Sequence, residues 1–187
     1  MGYFMEMKST IFHPRVTSFA RPLLLFVFAM LILSSHPVEA MVRYESAAEA
    51  FSGGRYDVAL HDFRQLAEGG HQGAEFMIGV MYFQGRGVAQ NRAIAAVWFH
   101  KAALKGHEGA QLALGSIHIR GVGVYQDLSE AYMWLSLAKT SSSTDIRDRA
   151  NILLRDAARL MTRDEIAGAE NTAAGFESVR SGLTIQD

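Results

Sequence analysis

The stretch from His71 to Gly106 begins again, without a gap, at His107. A shift of 36 positions carries Ala74 onto Ala110, Gly79 onto Gly115, Gly85 onto Gly121 and Gly87 onto Gly123. The same shift carries Ala95 onto Ala131 and Trp98 onto Trp134. A fixed period of roughly 20–50 residues marks a repeat array. One unit of such an array cannot bury its own apolar face and must stack on the next. Stacked units build extended concave surfaces more readily than enclosed pockets. The repeat therefore restricts the chain to a solenoid and points towards a surface for a partner.

Each unit reads as helix, turn, helix. Ala74, Ile78, Gly79 and Tyr82 recur at about one helical turn, as do Ala110, Leu114, Gly115 and His118. Glycine inside a helix costs up to about 1 kcal/mol against alanine, so Gly79 and Gly115 in one register imply a close helix–helix contact. Gly85-Arg-Gly87-Val88 and Gly121-Val-Gly123-Val124 end the first helix, because glycine accepts the left-handed backbone of a C-cap. Val88 and Val124 are expected beneath that loop. Asn91 and Asp127 then start the second helix as N-caps, and Asp127 with Glu130 resembles a capping box. The second helices offer Trp98 and Trp134 as buried knobs against Ala95, Ala102, Ala131 and Ala138. A Trp→Ala change at a fully buried site is expected to cost about 3–5 kcal/mol.

The flanks differ from the repeats. Residues 41–70 form a shorter, divergent unit in which Ala59 and Phe63 stand 36 before Ala95 and Phe99, with Asp62 at the tryptophan position. Two full units follow, 71–106 and 107–142. Over 143–177, Ile146, Ala150, Leu153, Leu154, Ala157 and Leu160 form one amphipathic stripe. Thr162 and Glu165 make a capping box for a last helix through Ile166, Ala169, Ala173 and Phe176. These two helices are expected to cap the array. The tail over 178–187 lacks periodicity and is expected to be loose.

Residues 1–40 read as an export signal: Lys8, Arg15 and Arg21, an apolar run from Leu23 to Leu33, and Val38-Glu39-Ala40 before the cut. Either Met1 or Met7 can serve as the start. The alternative is an uncleaved anchor, but a spanning helix needs about 20 apolar residues, and this run is shorter. With the signal removed, no stable membrane insertion is expected. The chain has no cysteine, which excludes disulfides and thiolate chemistry. Export without disulfides fits a bacterial periplasm or secretion from a bacterium. The 18 Lys and Arg against 19 Asp and Glu leave no basic block, so nucleic acid is not an expected partner.

Catalytic and cofactor patterns fail on inspection. His107-Glu-Gly-Ala-Gln111 lacks the second histidine of a zinc-protease helix. The Gly-x-Gly turns at 85 and 121 lack a third glycine and follow helices, where a dinucleotide loop follows a strand. The seven histidines show no ligand spacing. His71 and His107 read as exposed turn residues that help to cap the next helix. No cofactor, metal or catalytic residue is assigned.

The pattern Ala74-x-x-x-Ile78-Gly79-x-x-Tyr82-x-x-Gly85-x-Gly87-Val88, followed by Ala95-x-x-Trp98-x-x-x-Ala102-Ala103-x-x-Gly106, resembles a Sel1-like repeat, a relative of the tetratricopeptide repeats. The resemblance spans roughly 44–140. It implies an all-α fold, an α/α solenoid with a C-terminal helical cap. It implies a non-catalytic adaptor or scaffold that binds a protein or peptide in the cell envelope. A monomer or weak homo-oligomer is expected. An envelope enzyme or wall-binding protein built on the same scaffold is the alternative. In tetratricopeptide-like arrays the first helices line the concave face. On these the non-core positions Met77, Phe83 and Gln84, with Ala113, Ile119 and Arg120 one period on, are the candidates for partner contact.

Overall fold

The computed structural model describes residues 39–182, and within them the chain is helical with no strand. Eight helices follow one another: α1 over 39–52, α2 Tyr56–Glu68, α3 Gln72–Gln84, α4 Arg92–Leu104, α5 Glu108–Arg120, α6 Leu128–Ala138, α7 Thr144–Ala158 and α8 Arg163–Arg180. The export signal read over 1–40 lies outside the described residues except for its last two positions. The last helix runs on to Arg180, past the tail boundary drawn at 178; 183–187 lie outside the described residues. No helix among the described residues is long and apolar enough to cross a membrane.

The two repeats are hairpins of matched geometry. α3 stops at Gly85 and α5 at Gly121, both left-handed, with φ of 71° and 63°. Gln90 and Gln126, one period apart, each donate a side-chain N–H to a carbonyl of the helix just ended, Phe83 O and Ile119 O, both at 2.8 Å. That bond pins the loop across the hairpin. α4 starts at Asn91, whose Oδ1 accepts from Ile94 N at 3.0 Å, and α6 starts at Asp127, whose Oδ1 accepts from Glu130 N at 2.9 Å. The capping box expected at Asp127 is not completed. The Glu130 carboxylate instead accepts the Trp134 indole N–H at 2.8 Å, one turn further on. At Thr162 the box is complete.

Gly79 and Gly115 sit where the hairpin arms touch. A Cβ on Gly79 would stand 2.6 Å from the Phe99 ring, and Leu135 presses on Gly115 more closely still. The absent side chain lets α3 meet α4, and α5 meet α6, across a large neighbour.

The core forms two clusters. Ala47, Ala59, Phe63, Ala74, Ile78 and Met81 fill the N-terminal one. Phe99, Leu114, Ile117, Trp134, Leu135, Ala150 and Ala173 belong to the C-terminal one. α3 serves both, with Met77 on the first and Phe76, Val80 and Phe83 on the second. The two tryptophans, expected as equal knobs, are not equal. Trp134 is 1% exposed, with Phe176 of α8 edge-on at 5.7 Å. Trp98 is only half-buried and carries the Lys101 ammonium 4.4 Å above its ring. The cause is the cap: α8 packs on α6, whereas α4 keeps Ile94, Val97 and Leu104 exposed.

Candidate functional site

A groove of about 700 Å³ opens between the first helices of the last three hairpins. Its walls follow from helical spacing. Gln72, Phe76, Val80 and Phe83 advance along α3 at about one turn each and therefore share a face. α5 contributes Leu112, Ala113, Ser116 and Arg120 by the same rule. Ile146, Arg149 and Leu153 of α7 close the opposite side. α3 is apolar almost all round, which is why it can serve the core on one side and the groove on the other.

At one end of the groove lies His107, the N-cap of α5. Its Nδ1 accepts the Ala110 backbone N–H at 3.2 Å, and its ring stacks on Phe76 with 4.4 Å between centroids. His71 repeats the device one period earlier, accepting from Ala74 N at 3.2 Å and stacking on Tyr44 at 4.8 Å. Both histidines cap as expected, but neither is an exposed turn residue: each is half-buried beneath an aromatic ring. Burial pushes the His107 imidazole below the ordinary histidine range, against the opposing pull of the adjacent Glu108 carboxylate.

The groove's charged groups are held differently from one another. Glu108 accepts from the buried Ser141 hydroxyl at 2.5 Å and from Ser142 N at 3.4 Å, tying the start of α5 to the linker before α7. Arg120 donates Nε to Ser116 O at 3.2 Å and Nη2 to Ser116 Oγ at 2.6 Å. Arg149 meets Asp145 at 3.4 Å in an exposed i,i+4 pair, which is a weak association in water.

Of the residues singled out from sequence, the groove brings together Phe83, Ala113 and Arg120. Met77 packs half-buried on the N-terminal core, and Ile119 packs half-buried on the C-terminal core. Gln84 is exposed beside the Gly85 turn. The groove also holds Phe76, Val80, Ser116, Arg149 and Leu153, which sequence reasoning did not single out. The run Phe76, Val80, Phe83 carried a usable signal, a second apolar stripe on a helix that already had one. Among the described residues no three His, Asp or Glu side chains are grouped as a metal site would require. What the arrangement offers chemically is apolar contact beside exposed guanidinium groups.

Comparison with known proteins agrees with this geometry. The sequence profile of the Sel1 repeat matches residues 73–107 and 109–142, the two hairpins whose turns, caps and glycine contacts coincide. The chain carries two Sel1 repeats. Among solved structures, a protective antigen present in uropathogenic Escherichia coli strains, displaying an SLR fold, superposes with a TM-score of 0.67 at 24% identity. That match covers 82% of this chain and 34% of the antigen, so the chain spans about a third of its length. A Sel1 repeat protein from Oxalobacter formigenes superposes with a TM-score of 0.55 at 28% identity, covering 68% of this chain and 97% of that one. No curated protein matched the chain. The Sel1 array here is an all-α repeat solenoid.

Proposed function

We propose that this Sel1-repeat protein is an exported adaptor that holds a segment of another envelope protein in the groove between α3, α5 and α7. The observation that carries the reading is the groove itself. Half-buried Phe76, Val80, Phe83, Ile146 and Leu153 line an open cleft of about 700 Å³. Aromatic residues and arginine are favoured at the centre of protein interfaces, and repeat solenoids use concave faces of this kind to bind partners. The export signal read at the N-terminus supports a partner in the periplasm or outside the cell. The reading assigns no catalytic step and no cofactor to the groove.

The test is capture in cells by a photo-crosslinking residue. Placed at Ser116, inside the groove, it is expected to form a discrete adduct with an envelope protein. Placed at Tyr125, which is 95% exposed and outside the groove, it is expected to form none. Equal labelling from both sites would overturn the reading. Adducts found only with cytoplasmic proteins would overturn the assigned compartment.

A further inference from the structure

The groove's polar groups narrow the chemistry of what it holds. Arginine carries five N–H donors. Arg120 commits two of them to Ser116, one to the backbone carbonyl and one to the hydroxyl. Both bonds come from one turn earlier on α5, so the guanidinium is held in place. It meets no carboxylate among the described residues. Arg149, across the groove on α7, has only the exposed Asp145 carboxylate at 3.4 Å, a contact that an incoming carboxylate can replace at little cost. The groove's own anion is not offered in the same way, because Glu108 already receives the Ser141 hydroxyl and the Ser142 N–H. Its caps are spoken for too, since His107 Nδ1 receives the Ala110 N–H. Among the groove's charged groups, the donors left for a ligand are therefore the two guanidinium groups, and they stand beside an apolar wall.

We propose that the groove selects a peptide segment in which carboxylate side chains alternate with large apolar ones, the apolar groups seated on Phe76, Val80 and Phe83 and a carboxylate bridging Arg120 and Arg149. This rests on the adaptor reading and adds the partner's chemistry to it. The planar guanidinium suits the task because it meets a carboxylate through two parallel N–H···O bonds, which fixes orientation as well as charge.

The test uses the purified protein and three fluorescein-labelled peptides of one length: alternating Leu and Glu, the same with Gln for Glu, and the same with Lys for Glu. Fluorescence anisotropy reads binding. The Leu/Glu peptide is expected to bind about tenfold or more tightly than the Leu/Gln isostere, as a charge-assisted bond allows. The preference should shrink as salt is added. Arg120→Gln should abolish the preference, bringing the Leu/Glu peptide to the affinity of the Leu/Gln one. Arg149→Gln, on a different helix, should reduce it independently. Circular dichroism checks that both variants remain folded.

Equal binding of the Glu and Gln peptides overturns the carboxylate assignment and leaves the adaptor reading standing. Tighter binding of the Lys peptide overturns it as well. An Arg120→Gln variant that weakens all three peptides alike shows that the arginine acts on the groove's shape, and the proposal fails. Binding of none of the peptides also defeats it, while the adduct at Ser116 decides separately whether the groove holds a partner.

Discussion

The first and second repeats share their turns, caps and glycine contacts, yet they end in different surroundings. At Trp98 and Trp134 the same residue, at the same register of the same kind of helix, is only partly buried in one hairpin and sealed in the other. At Glu75 and Gln111 both side chains are buried. Glu75 is met by the Lys105 ammonium at 2.9 Å, while Gln111 donates to Ala103 O at 3.4 Å. Phe83 and Ile119 both pack on the C-terminal core, but only Phe83 also lines the groove. The repeat sets local geometry, and the neighbour sets burial. In the second hairpin that neighbour is the α7–α8 cap.

The tryptophans offer the sharpest way to break this comparison. Trp134→Ala should destabilise by about 3–5 kcal/mol, as truncation of a buried aromatic does. Trp98→Ala should cost only about 1–2 kcal/mol, because its ring is only partly buried and part of its surface already meets water. Urea unfolding of the two variants reads the difference. Equal losses would mean that the cap does not distinguish the hairpins.

The next effect concerns glycine. Gly115→Ala forces a methyl into Leu135 and should destabilise by about 1–3 kcal/mol. Gly168→Ala, in α8 with nothing within 4 Å of the added carbon, should stabilise by roughly 0.5–1 kcal/mol. Opposite signs for one chemical change separate a glycine required for contact from one that is incidental. Shifts in thermal midpoint check both.

The caps should show where the two repeats are alike. Asn91→Ala and Asp127→Ala should each cost about 1 kcal/mol, with a difference smaller than that between the tryptophans. The smallest effect is pH dependence. Burial lowers the folded-state pKa of His107, while the unfolded chain protonates near the ordinary value of about 6.5. Below that pH the unfolded state binds more protons than the folded one, so stability falls with acid until the lowered folded value is passed. His107→Asn keeps a capping oxygen and should flatten the urea midpoint between pH 7 and pH 5 relative to the unaltered chain. An unchanged acid dependence would remove His107 from the explanation.

What the sequence disclosed follows the same division. The turns at Gly85 and Gly121, the caps at Asn91 and Asp127 and the box at Thr162 each depend on residues within a few positions of one another, and they were legible. The exposure of Trp98 was not, because it depends on α8 packing against α6 and not α4, a fact written some seventy residues downstream and only in three dimensions. The unfinished box at Asp127 was hidden for a nearer reason: two donors competed for Glu130, and the indole won. In the groove, Phe83, Ala113 and Arg120 could be named from the repeat because α3 and α5 belong to it. Arg149 and Leu153 could not, since α7 is outside the period. Phe76 and Val80 were obscured because a helix apolar on two faces gives no single stripe to follow.

The claim on which the functional account stands is that the face shared by α3, α5 and α7 is the one that grips a partner. Site-specific crosslinking in cells from Ser116 and from Tyr125 tests it directly. The expected result is one envelope adduct from Ser116 that is lost when Val80 and Phe83 are both changed to Glu in a variant that still folds, and nothing from Tyr125. An adduct from Tyr125 alone, or one from Ser116 that survives the double change, would contradict it.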